Sequence, residues 1–272
     1  TLNFNISMFK ILEKKIVKIF STKKTTFISD VFLHIILKLR GYKNYGNYDE
    51  TGEKYFLNFL KNNKIKNCID IGAHQGSYSK ELLNFDNSKV LAFEPMDGSF
   101  NQLKNIKKKH KNRFDCFKIA LSNKPGNNYI FFTNKYSQLS TLNTNTKRIN
   151  FLKSKQFKRK KIKVDTLDRF FFKNKKYFPK KIDFIKIDTE GNDYKVLLGA
   201  KKFLQIKKPK YIQIEMNYHY LFEGENIYMM HKLLKNYDVY KILPYNNGLL
   251  KIDTTRPENN IYHLSNFVFI KR

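Results

Sequence analysis

The chain has 272 residues, with 53 Lys and Arg against 23 Asp and Glu and a formal net charge of +30. A hydrophobic content of 41% with 15% aromatic residues excludes a disordered chain and suffices for a core without staples. Two cysteines, Cys68 and Cys116, exclude a disulfide framework and a four-cysteine zinc site. Lys, Asn, Ile and Phe, all with AT-rich codons, fill close to half of the chain, and the lysines are scattered along it. Compositional drift therefore accounts for the charge. A basic face for nucleic acid, anionic lipid or an acidic substrate is the alternative reading.

Residues 1–45 are set apart as an N-terminal helical extension, with the remaining domain over 46–272. Phe9, Leu12, Ile16, Ile19 and Phe20 recur at helical spacing, with Lys10, Lys14, Lys15 and Lys18 between them. That spacing reads as a helix rather than a signal peptide. Ser29 or Asp30 is expected to cap a second helix ending before Gly41. Its apolar run, residues 27–39, includes Asp30, His34 and Lys38 and falls short of the roughly 20 residues of a membrane span. The extension is expected to pack on the domain. Peripheral membrane contact through residues 1–40 is the other reading. The whole is expected to be cytoplasmic, or to lie at the inner face of a membrane.

From residue 67 strands alternate with helices. Seven strands are predicted, over 68–71, 89–93, 115–121, 183–187, 211–214, 238–243 and 267–270. An extra strand over 129–133 and a polar loop fall between 122 and 170, and Asn246-Asn247-Gly248 marks a turn. The alternation implies an α/β fold, a mostly parallel sheet with helices on both faces. Ligands in such sheets sit beyond the carboxyl ends of the strands, at the switch point of strand order.

After the first strand stands Asp70-Ile-Gly-Ala-His-Gln-Gly-Ser77, whose glycines permit a tight turn against a ligand. After the second stands Glu94, placed to accept hydrogen bonds from a ribose diol. The pyrophosphate-binding Gly-x-Gly-x-x-Gly pattern fails at Asp70, and no Gly-x-x-x-x-Gly-Lys-Ser/Thr loop occurs. Those failures favour S-adenosylmethionine, which carries a ribose without pyrophosphate.

The motifs together resemble the FkbM family of S-adenosylmethionine-dependent methyltransferases. The similarity runs through Cys68-Ile-Asp-Ile-Gly-Ala-His-Gln-Gly-Ser77, Val90-Leu-Ala-Phe-Glu-Pro95, Ile119-Ala-Leu-Ser122 and Val164-Asp-Thr-Leu-Asp168. It continues with Ile182-Asp-Phe-Ile-Lys-Ile-Asp-Thr-Glu-Gly191, Val196-Leu-Leu-Gly-Ala200 and Ile212-Gln-Ile-Glu215. It covers about residues 50–220. The resemblance implies a Rossmann-like class I methyltransferase fold and methyl transfer to a hydroxyl of a sugar, glycan or related small molecule. It implies a cofactor loop of Asp70, Gly72, Ala73 and Gly76, with Glu94 on the ribose and Ala120 and Ser122 near the adenine. It places Asp188 at the methyl group and acceptor.

An acceptor alcohol must lose its proton as the new bond forms. Asp188 is the first candidate for that role, Glu190 the second and His219 the third, with Glu215 and Asn217 nearby. Carboxylates at these strand ends also suit Mg²⁺, although a metal is not the favoured reading. An RNA methyltransferase acting on ribose or base is the runner-up. Against base methylation, Asp188-Thr-Glu-Gly191 stands where an Asn/Asp-Pro-Pro-aromatic motif would hold a flipped base. A non-catalytic basic binding protein is the reading from another class, and the oligomeric state is left open.

Overall fold

A computed structural model describes residues 6–133, 140–149 and 152–272. Parts of the predicted polar loop, at 134–139 and 150–151, lie outside the described residues, as do residues 1–5. Three helices come first: α1 (Ile6–Phe20), α2 (Thr26–Leu39) and α3 (Glu53–Asn62). The alternating region follows as β1 (Asn67–Ile71), α4 (Ser77–Leu83), β2 (Lys89–Phe93), α5 (Asp97–Lys109) and β3 (Phe114–Phe117). Three strands and a helix come next, β4 (Ala120–Leu121), β5 (Gly126–Phe132), β6 (Lys158–Asp165) and α6 (Leu167–Lys173). The second half runs through β7 (Phe184–Ile187), α7 (Asp193–Leu198), α8 (Lys201–Lys207), β8 (Tyr211–Met216), α9 (Tyr220–Glu223) and α10 (Ile227–Leu233). It ends with β9 (Tyr237–Ile242), β10 (Leu249–Lys251) and β11 (Ser265–Lys271).

The main sheet has the order β10-β9-β11-β8-β7-β1-β2-β3. Strands β3, β2, β1, β7 and β8 are parallel, and β11 runs antiparallel between β8 and β9. Alternate side chains of the central strands feed two cores. Ile69, Ile71, Leu91, Phe93, Ile185 and Ile187 pack on one face, and Cys68, Val90, Ala92 and Phe184 on the other. Burial on both faces is why these strands read as continuous apolar runs. Cys68 and Cys116 lie on β1 and β3 with β2 between them.

The structure corrects several boundaries. The sheet has eight strands rather than seven. The added one, β10, pairs with β9 across the expected turn and is only three residues long. A three-residue edge strand is too short to show a period of two. The predicted strand over 115–121 is two strands: the main sheet loses it after Phe117, and Ala120 and Leu121 pair instead with Val164 and Asp165 of β6. β6 itself falls where a polar loop was expected. It joins β4 and β5 in a second, three-stranded sheet. Arg159, Lys161 and Lys163 point outward while Ile162 and Val164 pack on Met96, Ala120 and Ile130. On that inner face Lys158 and Lys160 stand where apolar residues would mark the period, so charge hid the alternation.

The cap of α2 also differs. The helix starts at Thr26, and the Thr25 hydroxyl donates back to the Phe20 carbonyl at 2.6 Å, leaving Ser29 and Asp30 inside the helix. Nor does the extension pack on the domain along its length: between residues 9 and 40 only Leu37 is buried. Among the described residues no helix is long and apolar enough to cross a membrane.

Beyond α2 the chain is anchored through Gly41 and Tyr42. Gly41 lies at φ +76, and a Cβ there would come within 2.7 Å of the Ile242 carbonyl oxygen and 3.1 Å of Lys241 Cδ. Tyr42 is buried and donates its hydroxyl to the Glu258 carbonyl at 2.9 Å. Its ring covers Lys241 Nζ, 3.2 Å from the ring centroid. Lys241 Nζ is fully buried with no hydrogen-bond partner. Burial, with Arg40 nearby, pushes the Lys241 pKa down to about 6.

Between that value and the ordinary lysine range the unfolded chain holds a proton that the folded one has released. The stability supplied by this group therefore rises with pH across that window. Lys241→Met, which keeps the volume and removes the amine, is expected to stabilise the fold at pH 7 by about 1–3 kcal/mol. The gain should shrink toward pH 10. Urea unfolding at both pH values measures it, and a variant no more stable than wild type at pH 7 would contradict a buried neutral amine.

Candidate active site

The switch point of strand order lies between β1 and β7, and a cavity of about 430 Å³ opens beyond their carboxyl ends. Gly72 follows β1 at φ +84. A Cβ there would lie 1.8 Å from the Asp188 carbonyl oxygen, so the turn admits only glycine. The Gly72 and Ala73 N–H groups both donate to the Phe93 carbonyl at 3.0 Å, hooking the turn onto the end of β2.

The next residue of that strand end is Glu94. Its carboxylate accepts from the His74 N–H at 3.0 Å and the Met96 N–H at 2.7 Å. Only 6% exposed, it has its pKa pushed up by burial to about 7. His74 takes a left-handed conformation, φ +47, that carries the turn past this carboxylate. Phe93, Ile119, Leu121, Ile130 and Leu142 form an apolar wall beside it.

A second group of charges enters from β7 and β8. The Asp188 N–H donates to the Ile71 carbonyl at 2.9 Å, fixing it against β1. Lys186, buried in the middle of β7, donates to Asp188 Oδ2 at 2.5 Å. Burial opposes the charge on Lys186, but Asp188, Glu53, Asp70 and Glu215 outweigh it and hold the ammonium well above the lysine range. Glu190 takes a left-handed φ of +53, and the Asn217 amide donates to its Oε2 at 3.2 Å. Burial, reinforced by Asp188, pushes both Glu190 and Glu215 well above the ordinary carboxyl range.

One oxygen each of Asp188, Glu190 and Glu215 lies within 4.8 Å of the others. Such a set suits a hard cation, but the Lys186 ammonium already occupies Asp188 Oδ2 and would compete with it.

Of the residues singled out from the sequence, Asp70, Gly72, Ala73, Glu94, Ala120, Asp188 and Glu190 line the cavity. Asp70 accepts from the Ser79 hydroxyl at 2.6 Å through Oδ2, while Oδ1 is buried without a partner. Gly76, Ser122 and His219 are not brought to the wall. Gly76 caps α4 at φ +80 and packs against Leu103 and Ile106. Ser122 donates to Asn192 Oδ1 at 3.0 Å. His219 packs its Cβ and ring against Gly191, and burial pushes its pKa down to about 4.

Sequence reasoning missed Lys186, Glu53, Tyr45, Tyr48 and Asn266, which also line the cavity. A lysine inside the apolar run of β7 was the one available signal. Glu53 is joined to β8 and β11 through Gln213 Nε2, which donates to Glu53 Oε1 and Asn266 Oδ1, each at 2.9 Å.

An α/β sheet of this order, with the glycine turn and acidic strand ends at its switch point, defines a class I methyltransferase fold. Residues 70–239, more than half of the chain, match the model of the methyltransferase FkbM domain. The chain belongs to the FkbM methyltransferase family. Among solved structures it is similar to methyltransferase FkbM from Methylobacillus flagellatus KT, at 14% identity and a TM-score of 0.44. That alignment covers 76% of this chain but only 44% of the other, so the present chain spans less than half of it. An O-methyltransferase from Bacillus cereus, in complex with SAH, aligns at 8% identity and a TM-score of 0.45, over 96% of this chain and 97% of that one. Precorrin-6y C5,15-methyltransferase from Geobacter metallireducens GS-15 aligns at 12% identity and a TM-score of 0.41, over 81% and 88%. No curated protein gives a match.

Proposed function

We propose that this methyltransferase binds S-adenosylmethionine and methylates a hydroxyl oxygen of a sugar, glycan or related small acceptor. One observation carries the reading: a single cavity joins the Glu94 carboxylate and glycine turn to the acidic group around Asp188. The residues fit the cofactor. Glu94 is the acceptor for ribose hydroxyls, the apolar wall suits a flat base, and the unpartnered Asp70 Oδ1 suits an ammonium. Bound S-adenosylmethionine supplies an electrophilic methyl group. The chain's part is to hold the acceptor oxygen in line with it and to take the proton.

Asp188 is the base in this reading. Glu190 and Glu215 are driven toward their protonated forms by burial. Asp188 has Lys186 bonded to Oδ2, which leaves Oδ1 for the acceptor proton. Lys186 then compensates the change in charge, and Glu190 and Glu215 offer hydrogen bonds to neighbouring acceptor hydroxyls. No step needs a metal.

Transfer of a labelled methyl group to a panel of glycans and small polyols, set against total RNA, tests the reading. Label on a glycan or polyol hydroxyl is expected. Label on RNA alone would give the site to nucleic acid. Cofactor binding without transfer to any acceptor would favour a binding protein on this fold.

A further inference from the structure

Residues 6–43 leave an unusual surface. In α1, Ile11, Leu12, Ile16, Val17, Ile19 and Phe20 are all between 43% and 63% exposed. At about 100° per residue, Leu12, Ile16, Ile19 and Phe20 share one face and Lys10, Lys14 and Lys18 take the opposite one, with Lys15 at the boundary and Ile11 and Val17 beside the lysines. In α2, Phe27, Val31, Phe32, Leu33, Ile35, Ile36 and Leu39 are 48–70% exposed, around nearly the whole helix. A helix apolar all round is ordinarily buried in something. Among the described residues nothing covers this one.

Charge decides between the possible covers. Over residues 6–43 there are nine Lys and Arg but only Glu13 and Asp30 as acids. A second copy of the chain would bring a second basic segment against the first. An anionic bilayer answers both features, taking the apolar side chains into its acyl boundary and the lysines among its headgroups. The 14 residues of α2 reach about 21 Å, short of the ~30 Å hydrocarbon core, so the helix lies in the interface rather than across it.

We infer that α1 and α2 dock this protein on the surface of an anionic lipid bilayer. The docking has a consequence for the site. α2 ends at Leu39, Gly41 and the buried Tyr42 pin the chain to the domain, and Asn44 and Tyr45 follow as part of the cavity wall. A docked helix pair holds this wall of the cavity near the membrane.

Flotation of the full chain with vesicles tests the inference independently of catalysis. Phosphatidylcholine vesicles containing a quarter phosphatidylglycerol are compared with pure phosphatidylcholine, at low and high salt. The chain is expected to float with anionic vesicles at least tenfold more than with neutral ones, and several-fold less in high salt. The variant Ile16→Glu/Phe32→Glu/Ile36→Glu, changed only at exposed positions, should lose at least tenfold in partition while keeping its unfolding temperature. Failure of the wild type to float, or flotation of the variant equal to it, would overturn the proposal. So would a wild-type dimer in sedimentation that the variant dissolves without any vesicle binding, which would give the surface to a second copy.

Discussion

Glu94→Ala is expected to weaken S-adenosylmethionine binding by at least a hundredfold. The lost carboxylate is the acceptor proposed for two ribose hydroxyls, and hydrogen bonds to a charged group contribute about 1.5–3 kcal/mol each. The same substitution strips the His74 and Met96 N–H groups of their acceptor, which loosens the turn proposed to hold the cofactor. Glu94→Gln, which keeps one oxygen, should lose less, about tenfold. The binding form is the carboxylate, whose pKa lies at about 7, so affinity should fall as pH is lowered through that value. Titration calorimetry of the wild type and both variants measures all of this. Unchanged affinity in Glu94→Ala would remove the ribose assignment, and with it the orientation of the cofactor in the cavity.

The second large effect is expected at Asp188, on turnover rather than on binding. Asp188→Asn keeps the shape and the main-chain bond to Ile71 but removes the proton acceptor. A general base contributes roughly 10²–10⁴-fold, so kcat should fall in that range while the cofactor Kd moves only a few-fold. Equal losses in both would make Asp188 a positioning residue for the cofactor. Glu190→Gln separates the two carboxyls. Its oxygen is held by Asn217 and its pKa is already high, so it should cost far less in kcat if Asp188 is the base.

Much of this site was legible because its parts lie directly after strands. Gly72, Glu94 and Asp188 each end an apolar run, and apolar runs of four or five residues between glycines and helices can be read without a structure. Lys186 breaks such a run by itself. Glu53, Tyr48 and Asn266 carry no such mark. They come from the first turn of α3, a loop and an antiparallel strand far apart in sequence, and meet at the cavity only in the folded chain, where Gln213 joins Glu53 to Asn266. β6 was hidden for a different reason: a strand basic on both faces over its first four residues looks like a charged loop until its partner is known.

The sequence by itself determined the alternating α/β order, the glycine turn with its acidic neighbour and the membership of a methyltransferase family. The first two depend on short-range rules: the period of apolar residues, the need for glycine at positive φ, and a carboxylate one residue beyond a strand; the third rests on the likeness of whole motifs to that family. Tertiary structure alone decided which carboxyls share one lysine, which of the predicted residues face the cavity, and that the first two helices are left uncovered. Those outcomes rest on desolvation and on contacts between distant segments, and neither quantity exists until the chain has closed on itself.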